Sequence, residues 1–158
     1  MGRGRGGLPK RSRGVTVPDM NSFLVLLARV SAEVAVETDP DAVVTRQALL
    51  LALHAGVNAP REEETRARWD RYAQILAEAD RELQAGLRDP VGLVEANVPP
   101  IGALDEDGEP LRTNVVVLTR QLGDLFDAAA TAGQGSPWRQ IVWAKVAECL
   151  SDAADELA

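Results

Sequence analysis

Two short stretches of the chain carry paired carboxylates. "DLFD" sets Asp124 and Asp127 three apart, and "DAAD" does the same for Asp152 and Asp155. Two helices that each offer such a pair could hold a divalent cation, as metal-dependent nucleotide hydrolysis requires, if the oxygens point inward at one site. The facing opposes this. Leu118, Leu122, Leu125 and Ala129 centre the apolar side of their helix. At about 100° per residue, Asp124 and Asp127 fall roughly 140–160° away from that side. Asp155 also points outward, and Asp152 borders the core. A solvated helix face is the ordinary place for such acids.

Glu33 and Glu37 lie near the end of an earlier helix. Glu37 falls within about 60° of that helix's apolar stripe. A carboxylate there needs a partner such as Arg46, or its pKa rises. An ion pair at a bundle edge is the structural reading. The catalytic alternative is an all-α nucleotide hydrolase that binds Mg²⁺ through Glu33, Glu37, Asp124 and Asp152. The preferred reading has no cofactor and no metal.

The chain holds one histidine, His54, and one cysteine, Cys149. No internal disulfide or cysteine metal cluster can form. His54 sits on an apolar face in the last turn of its helix, where the helix end favours the charged ring and burial disfavours it. Without a Ser or Cys at motif spacing, a hydrogen-bonded core histidine is expected rather than a base or pH sensor. Cys149 belongs to a buried stripe and reads as a small hydrophobe. "DEDG" at 105–108 lacks the spaced oxygen ligands of a calcium loop, and "GRGRGG" follows no strand and so cannot be a dinucleotide fingerprint.

The elements that must position these residues are helical. Phe23, Leu27, Val30 and Val34 form a stripe that predicts a first helix over about 19–37. Leu24, Val25 and Leu26 face other ways, as in a helix that is central or covered by another subunit. Asp39, Pro40 and Gly56 read as cap, first position and terminator of a second helix. A third helix begins near Asn58 or Ala59, with Glu62, Glu63 and Glu64 at its positive end. Trp69, Tyr72, Leu76, Leu83 and Leu87 make its stripe, and Asp89-Pro90 ends it. Residues 90–111 are rich in Pro, Gly and acid and predict a long loop. A fourth helix follows with Leu118, Leu122, Leu125, Phe126 and Ala129 inward; its "VVV" has strand propensity. Ser136-Pro137 opens the last helix. Its stripe is Trp138, Val142, Val146 and Cys149, with Trp143 about 140° from Trp138. The fold class is therefore all-α, a bundle of about five helices with a long acidic Pro/Gly-rich loop between helices three and four.

At 158 residues the chain suits one domain, here residues 19–158. Residues 1–18 form a flexible basic Arg/Gly-rich arm. Arg3, Arg5, Lys10, Arg11 and Arg13 lie there, leaving 12 of the 17 basic side chains against all 24 acidic ones in the remainder. Such an arm suits weak, sequence-independent contact with nucleic acid or an acidic partner. Five cations give a salt slope of at most about −4.5 on duplex and about −3.5 on single strands. The Ala, Arg, Gly and Val usage is that of GC-rich coding, in which Val15, Val17 or Met20 is an alternative start. No apolar run approaches the ~20 residues of a membrane span, and the chain reads as cytoplasmic. The preferred function is a non-catalytic helical interaction or assembly module. It pairs with another protein or a second copy of itself through Leu24, Val25 and Trp143.

Overall fold

The computed structural model describes residues 20–59, 62–85 and 109–158. They form α1 (Met20–Ala35), α2 (Val43–Asn58), α3 (Glu63–Ala85), α4 (Glu109–Thr131) and α5 (Pro137–Leu157), with no strand among the described residues. The basic arm lies outside them, as does the expected acidic loop except for residues 109–111, which belong to α4.

The apolar stripes of α1 and α4 and the first part of that of α3 enter the core. Phe23, Leu27, Val30 and Val34 of α1 are buried, as are Trp69, Tyr72 and Leu76 of α3. In α4, Leu118, Leu122, Leu125, Phe126 and Ala129 are buried too. That face continues back through Val115 and Leu111, so the helix starts earlier than the sequence reading placed it. The "VVV" segment follows this packing rather than its strand propensity.

The start of α2 differs from its cap signals. Asp39 does not cap it: its Oδ1 accepts from the Asp41 amide at 2.9 Å, and its carbonyl accepts from the Ala42 amide at 3.1 Å and Thr45 Oγ1 at 2.9 Å. The Asp closes a turn on its own backbone, and α2 begins after it with Ala42 at the N-cap. Gly56 lies inside α2, not beyond its end. A Cβ there would come within 3.0 Å of Tyr72 Cδ1 and 3.4 Å of Ala73 Cα, so this glycine permits close approach of α3. Asn58 closes α2 by donating from Nδ2 to the His54 carbonyl at 3.1 Å, rather than opening α3.

The last helix begins as its sequence indicates. Ser136 Oγ accepts from the Arg139 amide at 3.3 Å, and Pro137 follows at the first position. The link before it turns at Gly133 and Gly135, with φ of 71° and 69°. The Trp143 ring packs against Gly135, where a Cβ would come within 3.1 Å of it.

Helix α5 runs antiparallel to both α3 and α4. Against α3, Lys145 reaches Glu82 at one end (2.9 Å) and Glu156 reaches Arg71 at the other (3.2 Å). Against α4, Gly123 lies over Ala147 and Ser151, while Arg112 donates to the Leu157 carbonyl at 2.6 Å. Helices α3 and α4 are therefore parallel, an arrangement that a connection as long as residues 86–108 permits. The end of α5 is held by two arginines. Arg68 Nε donates to the Glu156 carbonyl at 3.0 Å and its guanidinium also reaches the Ala158 carbonyl, while Arg112 takes Leu157. Cations there satisfy free carbonyls and complement the helix dipole.

One polar pair is buried at the centre. Tyr72 Oη and Thr119 Oγ1 are 2.7 Å apart, and Thr119 Oγ1 donates to the Val115 carbonyl at 2.7 Å. Thr119 has one proton and gives it to Val115, so Tyr72 is the donor between them. Burial pushes the Tyr72 phenol well above its usual pKa and keeps it a donor.

Candidate functional site

The packing of α4 on α5 leaves an open groove of about 410 Å³ between them. Its floor is made of small residues, Gly123, Ala144, Ala147 and Ser151. Its rim carries Asp124 and Asp127 from α4, and Glu148 and Asp152 from α5. Arg120 at the same rim pairs with Asp155 at 3.1 Å. A second groove of about 540 Å³ lies between α3 and α5, again bordered by Glu148 and Asp152, with Glu78 opposite. Its cations are paired: Arg71 with Glu156 and Lys145 with Glu82. The hydrogen bond that the Lys145 ammonium donates to Glu82 raises its pKa.

Asp124 and Asp152 thus share one groove, while Glu33 and Glu37 stand apart from it. Glu33 is exposed on α1. Glu37 accepts from the backbone amides of Thr38 (3.0 Å) and Asp39 (3.1 Å), so it caps the turn after α1. Arg46, considered as its partner, pairs instead with Asp41 at 3.8 Å. Asp41 also takes Arg139 at 2.5 Å. Asp152, expected at the core border, is exposed. Among the described residues no three His, Cys, Asp or Glu side chains gather as a metal would require.

Cys149 is half-buried. Burial, followed by the nearby Glu78 carboxylate, pushes its thiol pKa upward, which holds it as an unreactive thiol. His54, expected as a hydrogen-bonded core histidine, is half-buried and hydrogen-bonded at one ring nitrogen only, its Nδ1 standing 3.4 Å from Asn58 Nδ2. Its ring lies against Phe23, with centroids 5.9 Å apart, and its buried Nε2 has no hydrogen-bond partner.

The three residues considered for self-association separate. Leu24 is half-buried and Val25 is 69 % exposed, whereas Trp143 is only 3 % exposed within this chain. The Arg139 guanidinium covers the Trp143 ring at 4.9 Å. Trp138, placed on the buried stripe by helical counting, is instead 61 % exposed, and Ile141 beside it is 63 % exposed. These two side chains fall three apart, on one side of α5. Counting alone inverted the two tryptophans: the Gly135 turn packs against Trp143, while Trp138 stays exposed. Ile141 at this spacing was the available signal for an outward apolar pair.

No family model, curated protein or solved structure matches this chain. Its functional reading therefore rests on its own residues. Arg3, Arg5, Lys10, Arg11 and Arg13 lie outside the described residues. No helix among the described residues is long and apolar enough to cross a membrane.

Proposed function

We propose that the chain is a non-catalytic helical assembly module that pairs with a second copy of itself. Its basic N-terminal arm adds weak, sequence-independent attraction for nucleic acid or an acidic partner. The observation that supports this reading is the exposed Trp138–Ile141 pair at the start of α5. A tryptophan left largely in water is costly, and this residue type is enriched where interfaces bury their central anchors. Trp138 takes the anchoring role that the sequence had suggested for Trp143, and Val25 of α1 is a second exposed apolar side chain.

Sedimentation equilibrium tests the pairing. The full chain dimerises in the micromolar range, and Trp138→Ser with Ile141→Ser shifts it to monomer without loss of helix. A monomeric full chain at all concentrations contradicts the proposal. The arm is tested separately by titrating single-stranded nucleic acid at several salt concentrations. Binding weakens with a slope no steeper than about −3.5 and vanishes when residues 1–14 are removed. Salt-independent binding contradicts the role of the arm.

A second reading has one observation in its favour, the shared groove of Asp124 and Asp152. It is Mg²⁺-dependent nucleotide hydrolysis, and it requires a rise in melting temperature with Mg²⁺ that Asp124→Asn removes. An unchanged melting temperature excludes that site.

A further inference from the structure

His54 sits at the seam between α1 and α2, and its surroundings specify its protonation state. Asn58 Nδ2 donates to the His54 carbonyl at 3.1 Å, which fixes the orientation of the amide. The same nitrogen stands 3.4 Å from His54 Nδ1. A donor facing Nδ1 requires a lone pair there, so the ring proton is on Nε2. That N–H is buried with no acceptor, against a Phe23 ring that is itself fully buried. A second proton is poorly accommodated. It would place Nδ1–H against the Asn58 amide hydrogens and leave a charged donor unsatisfied at Nε2.

Among the described residues, the counter-charges are directed elsewhere. On α1, Arg29 and Glu33 lie about two and three turns beyond Phe23. On α2, Arg46 pairs with Asp41. From α3, Glu63, Glu64, Arg66 and Asp70 are exposed, while Arg68 and Arg71 reach the end of α5. From α4, Arg112 binds Glu109, Arg120 binds Asp155, and Asp124 and Asp127 rim the α4–α5 groove. Burial lowers the pKa of the ring. The α2 C-terminus and the π face of Phe23 act in the opposite sense.

We propose that His54 is a proton-operated latch: uptake of a proton by its ring loosens the first turns of α1 from α2. The neutral ring completes an apolar seam, and the charged ring must reach water to be solvated. This device is independent of whether α5 pairs with another copy.

Two measurements on the full chain test it. The first is an NMR titration of the His54 imidazole. The second is amide hydrogen exchange at pH 7.5 and 5.5, corrected for intrinsic rates, in the wild type and in two proton-blind variants, His54→Gln and His54→Phe. The expected imidazole midpoint lies below 6.5. Protection in α1 falls at pH 5.5 in the wild type by up to about tenfold for each pH unit between that midpoint and 6.5. In the variants it does not fall, and protection of α5 is unchanged in all three. A midpoint at or above 6.5 overturns the latch, as does α1 protection with the same pH response in wild type and His54→Gln. If one variant fails to fold, the titration and the other variant still decide.

Discussion

Replacing Gly56 with alanine tests the packing of α2 on α3. In an open helix this change is favourable by about 0.8–1 kcal/mol. Here the new Cβ would lie 3.0 and 3.1 Å from Tyr72 Cδ1 and Cε1, and 3.4 Å from Ala73 Cα. Tyr72 cannot easily give way. It is fully buried, its ring meets Trp69 edge-on at 5.8 Å, and its hydroxyl is tied to Thr119. Overpacking of this kind costs about 1–3 kcal/mol, so Gly56→Ala is destabilising by up to about 2 kcal/mol after the propensity gain is subtracted. Gly123 provides the control. It is also helical and buried, but its Cβ would meet nothing closer than Leu150 Cβ at 3.5 Å. Gly123→Ala therefore stabilises by up to about 1 kcal/mol. Urea unfolding followed by circular dichroism measures both, and the melting temperatures separate by about 2–4 °C per kcal/mol. If Gly56→Ala is as stable as Gly123→Ala, α2 and α3 do not approach as described and the reasoning fails.

The buried Tyr72–Thr119 pair predicts an asymmetry. Tyr72→Phe removes one hydrogen bond and costs about 0.5–1.5 kcal/mol, whereas Thr119→Val strands a buried phenol donor and costs about 1–3 kcal/mol; denaturant midpoints distinguish them. The pH dependence of stability follows from His54. Its folded pKa is lowered, so the unfolded chain takes up the proton more readily. The contribution is present in full above the unfolded pKa of about 6.5 and is lost as pH falls from there toward the folded pKa. The difference in melting temperature between wild type and His54→Gln therefore changes over that window and is constant at higher pH.

The helices were legible because their stripes were unambiguous. Phe23 to Val34, Trp69 to Leu76 and Leu118 to Ala129 repeat at helical spacing, and burial followed that spacing. Ser136-Pro137 combined a side-chain acceptor with a residue suited to the first turn, and it capped α5 as read. The second helix misled because Asp39-Pro40 satisfies both helix-start and turn chemistry, and the local hydrogen bonds chose the turn. Gly56 was legible as a glycine but not in its role, since only the position of Tyr72 shows which constraint it relieves. In the candidate sites, helical counting placed Asp124 and Asp127 outward but could not show that Asp152 shares their groove. That juxtaposition depends on the α4–α5 register. The same limit applied to Trp138 and Trp143: an angle on a helical wheel does not state that the Gly135 turn packs against one of them.

Acrylamide quenching of tryptophan fluorescence across a concentration series tests the central claim most directly. Trp69 and Trp143 are 4 % and 3 % exposed, whereas Trp138 is 61 % exposed, so the accessible signal comes from Trp138. If α5 pairs with a second copy there, that accessible component is present at nanomolar chain and disappears as the concentration rises through the micromolar range. An accessible component of constant size from nanomolar to millimolar would contradict self-association through this face.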